Sequence, residues 1–91
     1  MTNNQIAISS LAMDLKRVAL GYYHGSGNTA QRFAQEALKR KDEIKINDVK
    51  PYLQKMLIDL PAILLQKDKQ KLAEDALMYS TIFQNYALKN D

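Results

Sequence analysis

The sequence predicts an all-α protein, an up-down four-helix bundle whose third helix is either kinked or split at Pro61. Three observations carry that expectation. Apolar residues recur at i, i+3, i+4 and i+7 almost throughout. The interruptions fall at Gly, Pro, Asn and Asp, where helices stop or start. The intervening loops are only a few residues long, which favours antiparallel neighbours.

In the first helix, over roughly residues 5–23, Ile8, Leu11, Ala12, Leu15, Val18, Ala19 and Tyr22 form one stripe. Gly21 weakens its end, and Gly25-Ser26-Gly27 closes it, because Gly accepts the left-handed conformation of a C-cap at little cost. Asn28 then serves as N-cap for a second helix over roughly 29–43, with Gln31 completing a capping-box pair. Its stripe is Ala30, Phe33, Ala34, Ala37 and Leu38, and Lys39-Arg40-Lys41 complements the negative end of its dipole. Ile44-Lys45-Ile46 alternates like a strand but has no strand to pair with.

Asn47 or Asp48 caps the third helix, and Pro51 sits in its first turn, where a missing N–H does least harm. Val49, Leu53, Met56, Leu57, Leu60 and Leu64 keep helical period through Pro61. Either a kink there or a separate short helix beginning after Asp59 satisfies the pattern. Asp68 caps the last helix, over roughly 69–88, with Leu72, Ala73, Ala76, Tyr79, Phe83, Tyr86 and Ala87 on its stripe.

At 91 residues the chain suits one domain, 1–91, and is too short for a barrel enzyme or a doubly wound nucleotide fold. Its 46% hydrophobic and 25% charged residues are those of an ordinary globular protein rather than a disordered one. A net charge of +3 falls short of the imbalance of a dedicated nucleic-acid binder. With no Cys, disulfides, thiolate catalysis, zinc fingers and iron–sulfur ligation are excluded, one His cannot build a multi-histidine metal site, and nothing calls for a cofactor. The segment Met1-Thr2-Asn3-Asn4-Gln5 lacks the basic region of a signal peptide. The longest apolar run, Leu60 to Leu65, has six residues against the ~20 of a membrane span. A cytoplasmic location with no membrane contact is the resulting expectation.

A second set of apolar residues is the strongest functional signal. Ile6, Met13 and Leu20, spaced by seven, lie opposite the main stripe of the first helix. Ile58 and Leu65 do the same in the third helix, and Met78 with Ile82 in the last. Three segments with such extras point to a protein–protein surface, of which a homodimer is the commonest form. The sequence therefore predicts a small non-enzymatic interaction or regulatory module, self-associating or bound to a protein partner.

A different chemistry gathers around the first turn. Arg17, His24, Asn28 and Arg32 surround a Gly-rich turn that opens a helix, an arrangement suited to an anion such as a phosphate. It is not a Walker loop, since GxxxxGK[ST] is absent. Arg17, six residues, then His24 resembles the motif of HEPN-type helical-bundle RNases, over eight residues of the 91. That resemblance implies an RNA-binding or RNA-cleaving bundle in which Arg17 and His24 act at the scissile phosphate. Val18 departs from it, because the residue after the Arg is usually polar in that family. The adjacent acid pairs Asp42-Glu43 and Glu74-Asp75 diverge around a helix and read as solvated charges. The basic clusters near Arg40 and Lys69 carry no aromatic for base stacking.

Overall fold

A computed structural model of the chain describes residues 2–89. Four helices, α1 (Asn3–Tyr23), α2 (Gly27–Lys41), α3 (Pro51–Leu64) and α4 (Lys69–Lys89), are joined by tight connections, with one 3₁₀ turn at Ile46–Asp48. No strand occurs among the described residues. The all-α bundle expected from the sequence is thus the fold.

Each helix end has an identifiable cause. α1 opens with a capping box: the Gln5 amide donates to the Thr2 hydroxyl at 3.1 Å, and the Thr2 amide donates to the Gln5 side chain at 2.7 Å. It closes in a Schellman turn around Gly25 at φ 75°, where the Ser26 amide reaches the Gly21 carbonyl at 2.7 Å and the Gly25 amide reaches that of Tyr22 at 3.2 Å. This tight return starts α2 earlier than the sequence suggested. Ser26, not Asn28, is the N-cap, its carbonyl accepting from the Ala30 amide at 3.0 Å, and Asn28 is an exposed residue of the first turn.

The start of α3 also needs correction. Asn47 and Asp48 belong to the 3₁₀ turn, and Lys50 takes the cap position with φ −64° and ψ 151°. Pro51 imposes that extended conformation, since its ring disfavours helical geometry in the residue before it. Between the two alternatives at Pro61, a separate short helix is ruled out: one helix runs from Pro51 to Leu64, and the Pro61 carbonyl still accepts from the Leu65 amide at 3.1 Å. Asp68 caps α4 as expected, its carboxylate accepting from the Lys71 amide at 3.1 Å.

α1 packs most closely against α4 and α2, while α3 packs against α4 and α2, so α1 and α3 stand diagonally across the bundle. Phe83, Ile8, Leu11, Leu15, Leu53, Leu57, Leu60 and Leu72 are the largest side chains withdrawn from solvent. α1 and α4 pack closely, and both carry buried alanines, Ala12 and Ala19 on α1 and Ala73 and Ala76 on α4. There the buried Ser80 hydroxyl donates to the Ala12 carbonyl at 2.6 Å. Ser80 is therefore a structural link rather than a nucleophile. Near the end of the same helix pair the Gln5 amide group donates to the Ala87 carbonyl at 3.5 Å. The strand-like run is held by a side chain: the Lys45 amide donates to the Asn4 side chain at 2.9 Å, and the Lys45 carbonyl accepts from it at 3.2 Å. Ile44 on one side of this clasp is buried and Ile46 is half-buried.

Candidate functional site: the outer face of α1 and the groove at its end

Helical rotation fills one side of α1 with core residues and leaves the other to solvent. On that outer side Ile6, Met13 and Leu20 are 51%, 50% and 41% exposed. Single exposed apolar residues are ordinary on a protein surface, but these three recur at seven-residue spacing on one side of α1 and so form an apolar strip. The polar residues beside the strip are Ser9, Ser10, Lys16 and Arg17. Asp14, the remaining charged residue of α1, is turned inward and buried.

The other predicted interface residues do not join this strip. Ile58 and Leu65 are exposed, but Ile58 lies on α3 and Leu65 caps its C-terminus, and α3 stands diagonal to α1, so neither joins the α1 strip. Met78 is exposed on α4. Ile82 is a correction: it is half-buried and packs against the core, because one further turn of α4 carries it towards the hydrophobic centre. The expected interface thus resolves into separate patches, of which the α1 strip has three members in register.

Leu20 also lines a shallow groove of about 300 Å³ with Arg17, Gly21, His24, Ser26, Thr29 and Phe33. The structure therefore places two members of the predicted anion cluster, Arg17 and His24, at one depression beside the strip. Phe33, which the sequence assigned only to the core stripe of α2, is half-buried and supplies an apolar wall. The Arg17 guanidinium lies 5.3 Å from its ring centre and that of Arg32 lies 5.5 Å from it, so both cations rest on one aromatic face or edge. Arg32 and Asn28 do not line the groove.

Sequence reasoning missed the ion pair behind this face. The Asp14 carboxylate, 7% exposed, meets the Arg40 Nε at 3.5 Å, and Arg40 also reaches Glu43 at 3.5 Å. Burial pushes the Asp14 carboxyl up from its ordinary range, against the opposing pull of Arg40 and Arg17. The other acids are structural. Asp75 accepts from the Gln66 side chain at 2.9 Å and from Lys71 at 3.0 Å, and these bonds hold its carboxyl below the usual range. Asp59, after which the sequence allowed a separate helix to begin, instead pairs with Lys55 at 3.4 Å within the continuous α3.

At the opposite end of the bundle a wider polar cleft of about 770 Å³ lies between the start of α1, the Glu43–Lys50 segment and Tyr86. Its rim is formed mainly by exposed loop side chains, and Ile8 and Val49 form its apolar floor. Among the described residues no cluster of three or more His, Cys, Asp or Glu side chains is placed to hold a metal ion. No helix among them is long and apolar enough to cross a membrane. No protein-family model matches the chain, and no curated protein or solved structure shows a significant match to it.

Proposed function

We propose that the protein is a small non-enzymatic helical interaction module, of a regulatory kind, that self-associates through the outer face of α1. The observation that carries this reading is the strip Ile6, Met13 and Leu20, about half exposed and in register on one helix. Fully burying a large apolar side chain contributes ~1.5–3 kcal/mol, and these are already half covered. Three from each of two copies then supply roughly 5–9 kcal/mol, of the same order as the association cost of ~4–15 kcal/mol. At the low end of that cost the balance leaves at most ~5 kcal/mol, a dissociation constant of about 0.2 mM, so the proposed dimer is a weak one that forms only at high concentration.

Light scattering coupled to size exclusion tests this directly. The mass is expected to rise from one chain towards two as concentration increases. Met13→Asp should hold it at one chain throughout, with helicity by circular dichroism unchanged, since Met13 is half exposed and is not a residue of the buried core. A wild-type mass of one chain at every concentration, or a Met13→Asp mass equal to wild type, removes the proposal.

A second reading, an RNA-binding or RNA-cleaving bundle, draws on the groove that brings Arg17 and His24 together. It predicts RNA binding that falls steeply with salt and that Arg17→Ala weakens more than loss of a distant lysine does. Absence of binding at low salt removes it.

A further inference from the structure

We infer that the groove between the end of α1 and the start of α2 binds a small anion carrying one flat apolar ring, an aryl phosphate or aryl carboxylate. Binding there requires neither self-association nor RNA. At Gly21 α1 meets Ala30 of α2 so closely that an added Cβ would stand 2.9 Å from the Ala30 Cβ, and Gly21 belongs to the lining of the groove. Leu20 of α1 and Phe33 of α2 supply its apolar walls. Its volume of about 300 Å³ is at the small end of ligand pockets, which suits a single ring with its substituent rather than a larger ligand.

Charge chooses the sign of the occupant. The chain has three arginines, and Arg40 is engaged with Asp14 and Glu43 at 3.5 Å each. Arg17 and Arg32 have no carboxylate partner among the described residues. Both guanidiniums are instead held against the Phe33 ring, at 5.3 and 5.5 Å from its centre. Two like charges gathered at one ring repel each other, and an anion beside them relieves that repulsion. No acidic residue lines the groove, whereas Arg17 and His24 both do. Asp14, the acid that feels the charge of Arg17, is buried, is held by Arg40 and does not line the groove.

The donors are free to serve such a group. The Arg17 guanidinium makes no hydrogen bond among the described residues, and its contact with Phe33 restrains the side chain, so less of it must be ordered on binding. A guanidinium offers paired N–H donors to two oxygens of a carboxylate or phosphate. The Ser26 hydroxyl makes no helix-cap bond, and it shares the lining with the Thr29 hydroxyl and the His24 ring. An anionic head on Arg17 with its ring against Leu20 and Phe33 therefore uses both halves of the groove. Inorganic phosphate uses only the polar half, and a neutral ring only the apolar one.

Amide chemical-shift titration tests this, with the protein well below the dissociation constant of the proposed dimer. Phenyl phosphate and benzoate are each expected to give saturable shifts at Leu20, Gly21, Thr29 and Phe33. Phenyl phosphate should bind about tenfold or more tightly than inorganic phosphate, and phenol should be weaker than phenyl phosphate by a similar factor. Arg17→Gln should weaken phenyl phosphate about tenfold, and Arg17→Lys should recover only part of that loss, because an ammonium lacks the paired donors. Lys16→Gln removes the same charge one residue away, outside the groove, and should change binding by no more than about twofold. Absence of saturable shifts, equal binding of phenyl and inorganic phosphate, or equal losses in Arg17→Gln and Lys16→Gln overturns the inference. So does a single-stranded oligoribonucleotide that shifts these resonances where phenyl phosphate does not, an outcome that gives the groove to RNA. A single-chain mass in light scattering removes the dimer and leaves this site standing.

Discussion

Gly21→Val is expected to lower the melting temperature by roughly 10–20 °C. A Cβ placed at Gly21 would lie 2.9 Å from the Ala30 Cβ, 3.0 Å from the Ala30 nitrogen and 3.1 Å from its Cα. These are backbone and near-backbone atoms of α2, and no flexible side-chain end is there to swing aside. Overpacking a tight contact costs ~1–3 kcal/mol, and the branched Val adds two methyl groups to the clash. For a chain of this size each kcal/mol moves the melting point by about 4–8 °C. Gly27→Ala is the matched control, because nothing lies within 4 Å of a Cβ there and its φ is not positive. Relief of glycine's unfolded-state entropy should make that variant more stable by ~0.4–1 kcal/mol. If Gly21→Val melts within a few degrees of wild type in a thermal scan, α1 and α2 do not approach as closely as described. The same contact shapes the groove, since Gly21 lines it beside Leu20.

Gly21 also shows where sequence reasoning stops. Within its own helix it reads only as a weak helix former, and its reason for being glycine arrives from Ala30 on another element. Features set by one element were legible. The period of Ile8, Leu11, Leu15 and Val18 identified the core face of α1, and Gly25 marked its end through the need for a left-handed residue. The seven-residue spacing that put Ile6, Met13 and Leu20 on one line was equally visible, as was the shared face of Arg17 and His24. What no single helix reveals is its neighbours' rotation. That hid the separation of Ile58 and Leu65 from the α1 strip and the inward turn of Ile82. The same blindness concealed that Phe33 would wall the groove. Local errors had local causes: Asn28 lost the cap to Ser26 because the Schellman turn returned so quickly. Asn47 and Asp48 lost it because Pro51 dictates the backbone of Lys50.

Arg40→Met is expected to destabilise the protein at neutral pH by roughly 2–3 kcal/mol, while Asp14→Asn does not. Removing one member of a buried ion pair costs ~3–5 kcal/mol, because a charge is left without compensation. The Arg40 side chain is 33% exposed, so the figure is taken at and below the low end of that range. Asp14 itself has a carboxyl raised by burial in the folded chain, which means that folding favours its protonated form. Its charge therefore penalises the fold above the raised folded pKa, and the penalty disappears as pH falls below the ordinary value of 3.8. Asp14→Asn removes the penalty: it should match or exceed wild-type stability at pH 7 and equal it in strong acid. In Arg40→Met the folded pKa of Asp14 rises further, so the loss at pH 7 should shrink as pH is lowered and the carboxyl protonates. Combining the two changes should recover most of that loss, since a neutral amide does not require the guanidinium. Denaturant melts at neutral and acid pH for the two single variants and the double variant separate charge from packing. A loss in Arg40→Met that is the same at every pH and persists in the double variant would assign Arg40 to covering apolar surface with its stem. A loss that vanishes in acid and in the double variant assigns it to Asp14, the buried acid behind the outer face of α1.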